Sequence, residues 1–167
     1  MTVQASSSYP VTMVLGSDHA GYTLKHVIEQ HLHTLGIQTV DVGCSSTTDS
    51  VDYPDMSAKV AQYILEHPDA LGILVCGSGV GVAIAANRYA HIRAVVAPSA
   101  LVAQLSKAHN NTNVLCLGER LTTPMVALDI VNTWLNSTFE GERHLRRVSQ
   151  LSMMPSFEPC ASVSCSL

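Results

Sequence analysis

The stretch Leu71-Gly72-Ile73-Leu74-Val75-Cys76-Gly77-Ser78-Gly79-Val80-Gly81 decides the fold of this chain. Its first five residues are apolar and partly β-branched, which predicts a buried parallel strand. The small residues at 80–88 predict a helix that packs close to the sheet. The glycines between these segments let backbone N–H groups turn toward a ligand, and a helix N-terminus adds partial positive charge. The stretch therefore predicts a strand, an anion-binding turn and a helix.

Cys76, at the start of this turn, has two interpretations. The positive field of the turn favours the thiolate, which would make the side chain reactive. Free cysteine is also among the most buried residue types, and many cysteines lie inertly at strand ends. The turn alone leaves both interpretations open.

Length and composition limit the class of protein. The 167 residues, 47% of them hydrophobic, suffice for one domain with a sizeable core. The net charge is −4 and the basic residues are scattered, apart from Arg143, Arg146 and Arg147, which argues against nucleic-acid binding. The chain lacks an apolar run long enough to span a bilayer and a signal-peptide pattern, so we expect a cytoplasmic protein without membrane contact. Five cysteines without a C-x-x-C pair argue against a disulfide framework and a zinc site.

Short apolar runs alternate with segments of helical period, which predicts an α/β domain. We expect a single-domain, Rossmann-like three-layer sandwich around a five-stranded parallel sheet. Strands are predicted at 11–15, 37–42, 71–75, 92–96 and 113–118. Helices are predicted at about 24–35, from Pro54, at 80–88, from an N-cap at Ser99 to about His109, from Pro124, and at 142–151. The domain would cover residues 11–153, between an N-terminal extension at 1–10 and a flexible C-terminal tail at 154–167.

Polar side chains follow the predicted strands, at the carboxyl edge where open parallel sheets bind ligands. Besides Cys76 and its turn, they are Asp18, His19, Asp52, Tyr53, Glu119 and Arg120. His109 and Asn110 end the helix after the fourth strand, so they reach either the same crevice or that of a partner subunit. Simpler interpretations are a helix cap for Asp18, a turn residue for Asp52 and a helix-end histidine for His109.

Four motifs resemble those of the type B ribose-5-phosphate isomerases, whose relatives include the galactose-6-phosphate isomerase subunits. They are Gly16-Ser17-Asp18-His19-Ala20-Gly21, Val51-Asp52-Tyr53-Pro54, the Cys76 turn with Ala85-Ala86-Asn87, and Gln104-Leu105-Ser106-Lys107-Ala108-His109-Asn110 with Asn113-Val114-Leu115. They occur in order, and the similarity extends from the first strand to about Val148.

The resemblance implies an aldose–ketose isomerase that interconverts D-ribose 5-phosphate and D-ribulose 5-phosphate, in the non-oxidative branch of the pentose phosphate pathway. It implies no metal and no organic cofactor. It also implies a homodimer or a dimer of dimers, with active sites at the subunit interface. In this family the base that forms the cis-enediolate is a cysteine at the place of Cys76 or a glutamate a few residues later. Because the later position here is Val82, the resemblance implies a cysteine base.

The resemblance also implies a role for each remaining site residue. His109 would open the furanose ring, with Asp52 and Tyr53 holding the sugar, and Ser78 would hydrogen-bond a substrate oxygen. The intermediate would be cradled by the backbone of Gly77, Gly79, Val80 and Gly81, and Asp18 and Asn110 would contact the substrate. The phosphate would be bound by Arg143 and Arg147, four residues apart on one helix face, with His19 and Arg120. A solvated basic face is the simpler interpretation of the two helical arginines.

Other functions fit the sequence less well. A dinucleotide site is disfavoured because the third glycine comes one residue early and no acid lies near residues 98–101. A cysteine hydrolase with Cys76, His109 and Asp52 leaves the arginines unexplained. A non-catalytic sugar-phosphate-binding module leaves Cys76 without a role. The closest alternative is isomerisation of a six-carbon substrate, allose 6-phosphate or galactose 6-phosphate.

Overall fold

The computed structural model describes residues 12–154. A 3-10 turn at His19–Gly21 lies between the first strand and the first helix. The other elements are β1 (Thr12–Ser17), α1 (Tyr22–Thr34), β2 (Gln38–Asp41), α2 (Tyr53–Glu66), β3 (Leu71–Cys76), α3 (Val80–Ala86), β4 (Ala94–Val96), α4 (Ala100–Asn110), β5 (Val114–Gly118), α5 (Pro124–Asn136) and α6 (Glu142–Ser152).

The five strands form one parallel sheet in the order β2-β1-β3-β5-β4. β2 lies on one side of β1, and β3 and the later strands lie on the other side, so the strand order reverses between β1 and β3. β3 is therefore the middle strand of the sheet. In parallel sheets such a reversal opens a crevice beyond the carboxyl ends of the two strands. Cys76, the last residue of β3, lies at this crevice.

Two apolar layers cover the sheet. On one face β1, β3 and β5 pack against α1, α4 and α5 around the fully buried Trp134. On the other face α2 and α3 pack against side chains such as Val14, Leu74 and Cys116. The alternation of Met13 and Val14 between the two layers follows from the two-residue repeat of a strand. The predicted single-domain α/β fold with a five-stranded parallel sheet is confirmed.

Local sequence signals set several helix ends, those at Ser99 and Pro124 as predicted. Ser99 caps α4, because its Oγ accepts the N–H of Val102 at 3.4 Å. Pro124 is the first residue of α5, where its missing N–H has no cost. Gly36 follows α1 with a φ of 73°, a left-handed conformation that favours glycine.

β4 is shorter than predicted, since pairing starts at Ala94 and not at residue 92. The side chain of Asn113 accepts the N–H of Arg93 at 2.7 Å, in place of a backbone hydrogen bond between strands. The side-chain amide of Asn87 bonds both the N–H and the carbonyl of Ala94, each at 2.9 Å. Asn87 therefore occupies part of the open edge of β4 that another strand would otherwise pair with.

The predicted extension at 1–10, and the predicted tail apart from Met154, lie outside the described residues. Between residues 12 and 154, no helix combines the length and the apolar character needed to cross a membrane.

Candidate active site

Cys76 lies beneath the glycine turn, with only 5% of its surface exposed. The backbone N–H of Gly79 donates a hydrogen bond to its Sγ at 3.1 Å. Gly79 adopts a φ of 78°, and a Cβ there would lie 2.9 Å from the carbonyl carbon of Leu117, so only glycine fits without strain. The glycine turn therefore aims a fixed backbone donor at the Cys76 sulfur.

Cys116 provides a contrast on the neighbouring strand β5. It faces the same apolar layer as Cys76 but is fully buried. Burial raises the pKa of the Cys116 thiol, and the nearby Cys76 raises it further. Cys116 is therefore a protonated core residue, whereas Cys76 has a polar contact at the mouth of the crevice.

Residues after β5 fix the position of the turn. A Cβ on Gly118 would lie 2.5 Å from the carbonyl carbon of Ser78, so the two backbones pass in direct contact. The N–H of Glu119 donates to the carbonyl of Cys76 at 2.9 Å, and the N–H of Arg120 donates to that of Gly77 at 3.1 Å. Within the turn, the Oγ of Ser78 accepts the N–H of Val80 at 3.3 Å. Two of the turn's N–H groups, those of Gly79 and Val80, thus already have partners in the chain.

Two side chains flank the turn. The guanidinium of Arg120 lies against Gly77, since a Cβ there would meet its Cζ at 3.2 Å. The ring of Tyr53 lies against Gly81, where a Cβ would meet Cε2 at 2.9 Å. Asp52 precedes Tyr53 at the N-cap position of α2, but its carboxylate makes no capping bond. The structure therefore brings a cation and an aromatic hydroxyl to the turn that holds Cys76.

Asp18 and His19 form the third side of the crevice. The carboxylate of Asp18 accepts the N–H of Ala20 at 3.0 Å, so Asp18 caps the 3-10 turn. A capping role was the simpler of the two interpretations of Asp18. Gly21 presses this turn onto the end of β3, because a Cβ there would lie 2.5 Å from the carbonyl of Val75. The Nδ1 of His19 is buried and has no hydrogen-bond partner among residues 12–154. Since buried polar atoms are nearly always paired, this atom is suited to meet a polar ligand.

His109 and Asn110 lie at the opposite edge of the sheet from Cys76. α4 runs antiparallel to the strands that it connects, so its last residues precede Val114 at the amino end of β5. Cys76 is paired with Gly118, at the carboxyl end of β5. The strand between them spans about 13 Å at its usual rise per residue. A shared crevice within one chain is therefore excluded for His109, and only the partner-subunit alternative remains compatible. Asn110 borders a separate cavity of about 450 Å³, which Arg88 and Arg93 also line.

A second polar group surrounds His109. Its ring stacks on that of His144 with centroids 4.4 Å apart and planes inclined by 4°. The Oε2 of Glu140 lies 3.7 Å from Nε2 of His109 and 3.6 Å from Nε2 of His144. Arg143 donates from Nε to Nε2 of His144 at 3.2 Å, and Arg147 donates to the carbonyl of Arg143 at 2.8 Å. Desolvation lowers the pKa of His144, and His109 and Arg143 lower it further. Arg143 and Arg147, which were proposed for phosphate, thus accompany His109, whereas Arg120 lies beside the Cys76 turn.

Sequence reasoning missed the supporting contacts of Glu119 and Lys25. Glu119 accepts the N–H of Leu24 with Oε2 at 2.9 Å, which ties the start of α1 to the end of β5 across 95 positions. Lys25 is buried and donates to the carboxylate of Asp41 and to the carbonyl of Cys44, which anchors the loop that leads to Asp52. Neither contact has a local signal in the sequence.

The contact between Glu140 and His144 was also missed. Glu140 precedes α6, whose N-cap is Gly141, so helical periodicity does not predict its approach to His144 at 3.6 Å.

The crevice and the sheet define an α/β enzyme with a thiol, a guanidinium and an unpaired imidazole nitrogen around a glycine turn. A family model described as Ribose/Galactose Isomerase matches residues 13–151. The chain is 43% identical over 140 residues to "Ribose-5-phosphate isomerase B" of Escherichia coli (strain K12), which covers 84% of this chain and 93% of that protein.

Solved structures agree with this. One is a ribose 5-phosphate isomerase from Thermotoga maritima, with a TM-score of 0.83 and 42% identity, covering 86% of this chain and 99% of that one. Another is "Ribose-5-phosphate Isomerase B from Mycoplasma genitalium with bound Ribulose-5-phosphate", with a TM-score of 0.82 and 40% identity. The match covers 85% of this chain and 94% of that one. This chain belongs to the ribose/galactose isomerase family and is an isomerase, as its motifs predicted.

Proposed function

We propose that this protein interconverts D-ribose 5-phosphate and D-ribulose 5-phosphate. The observation that carries the proposal is the buried Cys76 sulfur, which accepts an N–H at 3.1 Å beneath a glycine turn that Arg120 flanks. The names of the relatives support the pentose substrate. The solved structure of the relative from Mycoplasma genitalium has ribulose 5-phosphate bound.

Cys76 acts as the general base of the isomerisation. Moving the carbonyl between C1 and C2 requires a base that takes the proton from C2 and returns it to C1. The intermediate is a cis-enediolate, whose developing negative charge needs fixed donors. The N–H groups of the turn supply that field, and Ser78 offers a hydroxyl to a substrate oxygen. Holding the thiolate at the end of β3 keeps it within reach of either carbon.

His109 opens the sugar ring before isomerisation. Ribose 5-phosphate is mainly a closed furanose, so one group must exchange protons with the ring oxygen and the anomeric hydroxyl. An imidazole suits both directions of transfer near neutral pH. Asp52 and Tyr53 hold the sugar beside the turn, together with Asp18.

The phosphate is bound by Arg143 and Arg147, with His19 and Arg120 on the other side. The unpaired Nδ1 of His19 supports this assignment because a phosphate oxygen would supply its missing partner. Asn110 completes the substrate contacts.

Each active site combines two chains of a homodimer. The carboxyl edge of one subunit provides Cys76 and its turn, and the amino edge of the other provides His109 and the arginines. Apolar side chains on the helices that flank β4 support such an interface, since Ile84 is 64% exposed and Leu101 is 62% exposed. A two-fold axis would create two such composite sites. A dimer of such dimers is compatible with the same contacts.

Mixing two inactive variants tests the composite site. Cys76→Ala and His109→Asn homodimers are each impaired, but a mixed dimer has one site with both native groups. After subunit exchange about a quarter of the wild-type activity should return, because half of the dimers are mixed and each has one intact site. Failure to recover activity while mixed dimers are detected by mass would contradict the shared site.

A coupled assay of the purified protein on five- and six-carbon aldose phosphates, with a chelator present, tests the reaction itself. We expect turnover of ribose 5-phosphate, and its loss in Cys76→Ala with near-ultraviolet circular dichroism unchanged. Cys116→Ala is the matched control, since it removes a buried thiol on the next strand but leaves the turn intact. Turnover of only six-carbon substrates would shift the assignment to allose or galactose 6-phosphate. A fully active Cys76→Ala would refute the cysteine base.

The proposal includes a cytoplasmic location and a domain at 11–153. Within residues 12–154 the three cysteines Cys44, Cys76 and Cys116 are all free thiols, which suits a reducing compartment.

A further inference from the structure

Three side chains at the amino edge of the sheet place metal-binding atoms together. The candidate ligand atoms of His109, Glu140 and His144 all lie within 4.8 Å of one another. We call these three residues the His109 cluster. Two imidazoles and one carboxylate form a ligand set that binds Zn²⁺ with a fourth position open. Mg²⁺ and Ca²⁺ prefer oxygen ligands, so this set selects a transition metal.

The spacing of the donors fits a tetrahedral ion. With metal–ligand bonds of about 2.0–2.1 Å, tetrahedral donors are separated by about 3.4 Å. The carboxylate oxygen of Glu140 lies 3.7 Å and 3.6 Å from the two Nε2 atoms. A metal lies in the plane of each imidazole, so one of the parallel rings must tilt. The side chain of His109 is 34% exposed and can make that rotation.

The backbone holds the His109 cluster in place before any ion arrives. The N–H of Glu140 donates to the carbonyl of Ala108 at 2.9 Å, next to His109. His144 lies in the first turn of α6, and its ring is stacked on His109. The ordering of three separate side chains, a main cost of metal binding, is therefore small.

Some charges near the His109 cluster repel a cation and others attract it. Arg143 opposes it, because its Nε donates to the Nε2 atom of His144 that a metal would use. Arg143 is exposed, however, and its side chain can leave for solvent. Glu140 attracts the ion, and so does the C-terminal end of α4, where His109 lies in the last turn.

We propose that His109, Glu140 and His144 bind Zn²⁺ and that the bound ion inhibits the enzyme. A zinc-bound His109 has no free Nε2 for proton transfer, and Arg143 is displaced from its partner. The inhibition rests on the proposed function, since it assumes a catalytic His109. The binding of zinc does not.

Isothermal titration of the chelator-treated full chain with ZnCl₂ tests binding without an activity readout. We expect a site that Glu140→Gln and His144→Gln each weaken by at least about tenfold. The matched control is Glu29→Gln, because Glu29 lies 3.6 Å from His26 in a pair that gains no third metal ligand from the part of the chain that the structure describes. The control and Cys76→Ala should keep the site, and MgCl₂ should give no binding. Glu140 is exposed, so its variant remains informative if His144→Gln fails to fold.

The binding proposal is overturned if Zn²⁺ does not bind or if both cluster variants bind it as tightly as the wild type. It is also overturned if the affinity is lost in Cys76→Ala, which would place the ion at the thiol.

The inhibition is measured in the isomerase assay, with each variant compared with its own metal-free rate. Zn²⁺ should inhibit the wild type reversibly, with recovery on adding a chelator, and Glu140→Gln should require at least about tenfold more Zn²⁺. Zinc that binds without inhibiting would refute the inhibitory role alone. An absence of isomerase activity in the metal-free protein would refute the proposed function, while the titration would still decide the zinc site.

Discussion

The close contact between Gly118 and the Cys76 turn predicts that Gly118→Ala damages catalysis more than stability. A Cβ at this position would lie 2.5 Å from the carbonyl carbon and 2.7 Å from the Cα of Ser78. Both are backbone atoms, so no side-chain rotation relieves the overlap. The turn must move by about 0.9 Å to reach the 3.4 Å at which ordinary contact begins.

That displacement sets the expected magnitudes. Overpacking of this kind costs about 1–3 kcal/mol of the free energy of unfolding. A catalytic group misplaced by 1 Å can lose about 100-fold in rate, and the moving turn includes the N–H that contacts Cys76. We therefore expect kcat to fall by about 100-fold while the variant remains folded.

Urea unfolding and the coupled isomerase assay measure the two effects separately. The control is Gly72→Ala, also in a buried strand, where a Cβ would meet side chains and not backbone: Val60 at 2.9 Å, and Ile64 and Val114 at 3.2 Å each. It should lose comparable stability but keep its kcat. A Gly118→Ala enzyme with the wild-type kcat, or equal catalytic losses in both variants, would refute the idea that this backbone contact positions the base.

Three further predictions concern other elements. Burial, with the Arg93 charge, lowers the pKa of Lys107 to about 8. Between pH 8 and about 10.4 the unfolded chain therefore binds more protons than the folded chain, so the free energy of unfolding of the wild type should rise with pH relative to that of Lys107→Met. Urea unfolding of both proteins at several pH values measures this. A difference in free energy of unfolding that stays constant with pH would contradict it. Glu119→Ala removes the acceptor for the N–H of Leu24 at the start of α1, so urea unfolding should show a loss of about 1 kcal/mol; an unchanged midpoint would mean that water replaces the carboxylate. His109→Asn should slow conversion of the furanose more than that of an open-chain substrate, and equal losses in stopped-flow measurements would count against ring opening.

The fold could be predicted because its determinants are local. The apolar run at 71–75, the glycines after it, Ser99 and Pro124 each specify their own element through periodicity, capping or fixed φ. β4 deviates because the side chains of Asn87 and Asn113 bond the backbone in place of strand partners, which no periodicity reveals.

The candidate site could be predicted only in part. The carboxyl edge of the sheet follows from strand order, so the grouping of Cys76, Tyr53 and Arg120 was accessible from the sequence. The direction of α4, which separates His109 from Cys76, follows from the same rule and supports the partner-subunit alternative. The contacts of Glu119 and Lys25 depend on tertiary packing between distant segments, which a single sequence does not encode locally.

The buried Lys25 restricts how this family can drift in sequence. Only 1% of its side chain is exposed, and it is compensated by Asp41 and by the carbonyl of Cys44. Removing one member of a fully buried ion pair costs about 3–5 kcal/mol, and the cost here is lower because the Asp41 side chain is 32% exposed. Replacing both members with apolar residues can be neutral. Selection should therefore remove single substitutions at either position, and related proteins should replace both residues together. Positions 25 and 41 should show correlated substitution across relatives.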